Sequence, residues 1–197
     1  LFIRAEEQHE IDEVGDSQPF YIYAVQGFKA LFNTPSVLVL MAAIMTLALI
    51  YLPTEMVILP AHYNLINYPE GLGMVISGMA AAAVFGALFF EQIHKRISYA
   101  NILRIGIIGV PLSMLPMSQL PPQWMMIGFG AILGLAWGPL LQLLNTIIQS
   151  KIPANMRGRV FSLEMTIWTA GPMISMVAAG SAVDAFGVKP VYLALSL

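Results

Sequence analysis

Cysteine is absent from the 197 residues, and only 10% of them are charged, with nine Lys and Arg against eleven Asp and Glu. The first absence excludes disulfides, thiolate metal sites and Cys nucleophiles, and it leaves the redox compartment open. The second argues against a soluble domain, which carries about 25% charged residues. Nucleic-acid binding finds no support either, because no basic patch with interleaved aromatics is present. Enzyme signatures are missing: the chain has no Walker loop, no Gly-x-Ser-x-Gly and no His-Glu-x-x-His. His9, His62 and His94 fall in predicted loops, far apart in the chain, which speaks against a metal cluster. No cofactor is expected.

What the chain has instead is apolar residues, 58% of the total, gathered into several runs. Each is long enough for a hydrocarbon core that needs about 20 residues, so the expected class is an all-α integral membrane protein. The predicted spans are about 36–60, 71–90, 98–117, 124–148 and 160–183, with an incomplete run at 191–197. Position 1 is Leu, and the last apolar run stops at Leu197 soon after it starts, so the chain reads as a piece of a longer protein. Residues 1–18, with Glu6, Glu7, Glu10, Asp12, Glu13 and Asp16, are too polar to bury a core and are expected to form a solvated acidic linker. Residues 19–34 place Phe20, Ala24, Phe28, Leu31 and Phe32 at helical spacing, which suits an amphipathic helix in the membrane interface.

The loops set the expected orientation. Arg4 and Lys29, then Lys95 and Arg96, then Lys151, Arg157 and Arg159 alternate onto one side, while the other side has Lys189. The basic side is expected to be cytoplasmic. Within the spans, Pro53 removes a backbone donor and predicts a kink. Gly78, Ala82 and Gly86 recur every four residues and predict a seam for close helix contact. Gly130, Gly134, Gly138, Gln142, Asn145 and Gln149 form one stripe on the fourth span, small at one end and polar at the other. Its amides must face protein or a water-filled cavity, and its glycines suit either a packing seam or a pathway. Tyr51, Thr54 and Glu55 share a face beside Pro53, where Glu55 is either a proton or cation site or an acid hydrated near the interface. Glu164, near the predicted start of the fifth span, fits the preference of a helix N-terminus for acids.

Two stretches carry a family resemblance. Gly138-Pro139 within a helix, Gln149 near its end, Ile152-Pro153 and then Arg157-Gly158-Arg159-Val160-Phe161-Ser162 resemble the tenth helix, loop and eleventh helix of the major facilitator superfamily. Gln26-Gly27-Phe28-Lys29-Ala30-Leu31-Phe32-Asn33-Thr34-Pro35 is similar to the entry to the seventh helix in its drug and macrolide efflux branch. The resemblance implies the C-terminal six-helix bundle of a twelve-helix secondary transporter, with the last helix truncated. It further implies a multi-pass protein of the cell membrane, efflux of drugs or small amphipathic molecules by proton antiport and alternating access, and an N-terminal half as partner. Uptake by the same fold, or a polytopic scaffold without transport, are the alternatives. For residues, it implies that Gln142 and Asn145 line the central pathway. It also implies that the loop with Arg157, Gly158 and Arg159 meets an acidic loop of the other half. The stretch from Ala87 to Arg96, with Glu91, Lys95 and Arg96, is a degenerate copy of the family's charged gating loop. Gly171-Pro172 resembles the bend of the antiporter helices, although Ser175 stands where a second Gly would fall.

Overall fold

The computed structural model describes residues 20–197, with side chains from Val25 onward. The acidic stretch 1–18 and its residue His9 lie outside the described residues. Among the described residues the elements are all helical. They are α1 (Phe20–Phe32), α2 (Pro35–Pro53), a π-helical segment (Thr54–Ile58), α3 (Leu59–Leu65), α4 (Pro69–Leu88), α5 (Phe90–His94), α6 (Tyr99–Met117), α7 (Gln123–Lys151), α8 (Ala154–Phe186) and α9 (Val188–Ser196). Five continuous helical stretches are long and apolar enough to cross a membrane: Pro35–Leu65, Pro69–Leu88, Tyr99–Met117, Gln123–Lys151 and Ala154–Phe186.

Prolines set most of these limits. Pro35 and Pro69 stand in the first turns of α2 and α4, where the missing N–H costs no intrahelical bond. Ser98 caps α6 by accepting from the Asn101 amide at 3.4 Å. Ile152, held extended by the ring of Pro153 behind it, ends α7. α8 then starts at Ala154, earlier than the apolar run alone suggests, because nothing from Ala154 to Arg159 stops a helix and Gly158 costs only about 1 kcal/mol. Arg157, Gly158 and Arg159 therefore lie in the first turns of α8 and not in a preceding loop. His62 and His94, expected in loops, sit on α3 and at the end of α5 for a similar reason: both short helices continue the end of a span.

After Pro53 the chain passes into the π segment instead of a simple kink. Proline cannot donate to the carbonyl one turn back, and the wider turn re-registers the ladder so that the Leu59 amide reaches the Thr54 carbonyl. By contrast α8 runs through Gly171 and Pro172 as one helix. Gly187, at φ 83, terminates it in a conformation that only glycine adopts freely.

The most extensive helix contact is between α4 and α7, followed by α6 on α7. The glycine stripe makes the first of these. A Cβ at Gly134 or Gly138 would overlap the carbonyl of Met79 or Ala83 on α4, and one at Gly130 would sit 2.9 Å from Met79 Cγ. The seam is mutual, since Gly86 of α4 lies against Pro139 and the Leu135 carbonyl oxygen, and Gly78 lies against Ile127. In lipid, where no hydrophobic drive brings helices together, such backbone approach supplies the attraction by dispersion. α2 bridges the α4–α6–α7 group to α8, and α1 crosses the start of α8 with Gly27 against the Arg159 backbone. The outward faces carry Val84, Phe85, Ile105, Ile108, Leu112, Ile174 and Val177, an apolar exterior suited to acyl chains.

Candidate functional site

A row of aromatic rings crosses the middle of the bundle and ends on an acid at each side. Tyr51 of α2 packs on Trp137 of α7 with ring centroids 4.7 Å apart. Trp137 meets Trp168 of α8 edge to face, at 5.9 Å. The Tyr51 hydroxyl neighbours the Glu55 carboxyl, one turn along in the π segment. The Trp168 indole, one turn beyond Glu164, neighbours its carboxyl. Tyr51, Trp137 and Glu164 are buried, while Glu55 and Trp168 are half-buried. Three helices thus contribute to one line, from Glu55 through Tyr51, Trp137 and Trp168 to Glu164.

Local sequence explains the placement. Tyr51 and Glu55 are four apart and Glu164 and Trp168 are four apart, so each acid shares a helix face with its aromatic neighbour. Trp137 directly precedes the Gly138-Pro139 pair that seats α7 against α4, which fixes its rotation toward α2 and α8. The π segment holds Glu55 at a wide turn, a feature frequent at functional positions. Thr54 is fully buried and donates to the Ile50 carbonyl at 3.2 Å, so it closes its own turn.

The polar end of the α7 stripe goes elsewhere. Gln142 lines a cavity of about 270 Å³ with Glu91, His94, Lys95, Tyr99 and Thr146, at the end where α5 joins α4 to α6. His94 stacks flat on Tyr99 there, with centroids 3.7 Å apart. Two residue groups that the sequence kept separate, the pathway amide Gln142 and the charged pair Glu91 and Lys95, share this cavity. Asn145 is half-buried and Gln149 exposed. Arg96 is exposed in the turn before α6.

The two arginines at the start of α8 separate. Arg157 donates from Nε to the Ile152 carbonyl at 3.0 Å and so tethers α8 to the end of α7. Arg159 turns to α1, where its guanidinium donates to the Gln26 side chain. Glu164 is buried beside Trp168. Trp137, Trp168 and the burial of Glu164 escaped the reading of the sequence. The available signal was an acid four residues before a Trp on an otherwise apolar face. The six residues assigned to a loop before α8 hid it, since they moved Glu164 from about the third turn of the helix to the second.

The sequence pattern of the Major Facilitator Superfamily matches residues 1–176. The chain belongs to that superfamily. Among its relatives in the superfamily is the multidrug efflux pump Tap of Mycolicibacterium fortuitum, 28% identical over 88% of this chain and 42% of that protein. Tap of Mycobacterium tuberculosis is 27% identical over 87% of this chain and 41% of its own length. The multidrug resistance protein MdtG of Salmonella newport is 25% identical over 66% of this chain and 32% of its own. The chain thus spans about two fifths of the length of the Tap proteins it matches. No solved structure matches it significantly. Membership and the five stretches long and apolar enough to cross a membrane make this a multi-pass protein of the plasma membrane.

Proposed function

We propose that the chain forms the C-terminal six-helix bundle of a twelve-helix secondary transporter that exports drugs or other small amphipathic molecules by proton antiport and alternating access. Relatives named as a multidrug efflux pump and a multidrug resistance protein support the export reading. The observation that carries it is the aromatic row held between Glu55 and Glu164. Flat apolar substrates stack on indole and phenol faces, and a cation gains about 0.5 to 2 kcal/mol over such a ring. A carboxyl beside the rings attracts that cation when ionised. When protonated it is neutral and avoids the cost of a buried charge. One carboxyl that holds either a proton or a cationic substrate couples the two in opposite directions.

The gate falls to Arg157 more than to Arg159. Its Nε is engaged by Ile152, and the terminal nitrogens of its fork remain suited to a carboxylate on the N-terminal half in one of the two states. Glu91, Lys95 and Gln142, which share a cavity at the basic end, form the second charged contact of that side.

The test is Glu164→Gln in the whole transporter, with Glu55→Gln beside it, in cells loaded with a permanent cation or with a neutral drug. Efflux of the cation is expected to fall at least ten-fold and to lose its dependence on external pH, while the neutral drug is exported at nearly the normal rate. Normal cation efflux with a normal pH profile in the double variant would remove the carboxyl groups from the mechanism.

A further inference from the structure

At the basic end of the bundle, α1 and the α7–α8 turn enclose a cleft of about 420 Å³. Gln26, Lys29, Asn33 and Thr34 line one wall, and Lys151 and Pro153 line the other. A lysine on each wall brings positive charge to the cleft from both sides. Among the described residues no acid lines it and no carboxylate pairs with either lysine. Pro153 opens α8, so the positive end of that helix dipole lies at the rim and adds to the field.

The helix that forms the first wall is divided lengthwise into three stripes. Gly27 and Leu31 are buried, with Gly27 against the Arg159 backbone. Gln26, Lys29 and Asn33 face the cleft. Val25, Phe28 and Phe32 face outward, exposed, with the two phenyl rings stacked at 6.5 Å. At 100° per residue, Lys29 falls between the cleft stripe and the apolar stripe. An exposed aromatic row, bordered by a lysine that opens into a cationic cleft, matches a phospholipid: acyl chain on the rings, phosphate in the cleft. A soluble anion would use the lysines and leave the rings without a role.

We propose that this cleft binds the phosphate of an anionic phospholipid headgroup, with one acyl chain laid along Val25, Phe28 and Phe32. The bound lipid closes the wedge between α1 and the α7–α8 turn and so anchors the start of α8, on which Arg157 sits.

The experiment uses the purified protein in nanodiscs of phosphatidylcholine with a minority of phosphatidylglycerol, released into native mass spectrometry. Phosphatidylglycerol is expected to remain bound in preference to phosphatidylcholine. Lys29→Gln and Lys151→Gln should each weaken its retention about five-fold, and the pair about twenty-five-fold, from the attraction of one basic side chain for an anionic lipid surface. Lys189→Gln, on an exposed residue outside the cleft, should change nothing. Phe28→Ala with Phe32→Ala should also weaken lipid retention. Lys29→Arg with Lys151→Arg should keep it, which separates loss of charge from loss of fold. Undiminished phosphatidylglycerol in the Lys→Gln pair overturns the proposal. So does millimolar glycerol phosphate or inorganic phosphate that displaces the lipid and stabilises the protein equally, since the cleft would then serve a soluble phosphate.

Discussion

Replacing Gly138 with Ala tests the seam on which the rest of the bundle is seated. A Cβ built there lies 2.9 Å from the Ala83 carbonyl carbon and nearer still to its oxygen. Ordinary contact begins at 3.4 Å, so the two helices must part by at least about 0.5 Å at that level. Neither side can yield by a rotamer change, because both are helical backbone. A gap of that size forfeits about a quarter of the dispersion attraction across the affected contacts. Overpacking of a closed interior costs about 1 to 3 kcal/mol in general. At about 2 kcal/mol, a chain of this size loses roughly 4 to 8 °C of thermal midpoint. Trp137 adjoins the site and packs on Tyr51 and Trp168, so tryptophan fluorescence during heating in mild detergent reports the seam directly. Gly128→Ala is the internal control: it lies on the same helix and its Cβ meets nothing within 4 Å. It should match or slightly exceed the parent, since Ala is the better helix former by about 1 kcal/mol. A Gly138→Ala midpoint equal to that of Gly128→Ala would refute the close approach of α4 and α7.

At the opposite end, Tyr63 donates to the Gln123 side chain at 2.5 Å, and Gln123 in turn donates to the Gly71 carbonyl at 2.8 Å. Gln123→Leu should strand the buried Tyr63 hydroxyl and cost about 1 to 3 kcal/mol, and the further change Tyr63→Phe should recover much of it in the same melting assay. Arg157→Ala in the whole transporter should shift accessibility toward one side and lower efflux with insertion unchanged, whereas Arg159→Ala should mainly loosen α1 from α8, seen as faster proteolysis near Gln26. Equal effects on both readouts would undo the division of roles. Single cysteines at Ser150 and Asn67 should label from opposite faces of the membrane, a clean assay in a chain without native Cys. Labelling from the same face would refute the assignment of the three spans between them.

Apolar run length and proline position are local properties, and they mark out five stretches long and apolar enough to cross a membrane without reference to any neighbour. Four-residue glycine spacing likewise announced a narrow face on α4 and on α7. It could not say what that face meets, because periodicity defines a side of a helix and not the element across from it. Packing decided that Gly130, Gly134 and Gly138 close on Met79 and Ala83 of α4, and that Gln142 continues the stripe into the cavity of Glu91 and Lys95. The π turn after Pro53 was legible only as a disturbance, since the missing donor is written in the residue but the wider register depends on the packing of α8 and α9 against it. Arg157 and Arg159, two apart, looked equivalent. They diverge because a helix turns by about 200° over two residues, which sends one guanidinium back to α7 and the other across to α1. The line from Glu55 to Glu164 belongs wholly to the tertiary structure. Its members come from three helical stretches and span more than a hundred residues of the chain, and only the rotation set by the α4–α7 seam and by α2 wedged against α8 brings Tyr51, Trp137 and Trp168 ring to ring.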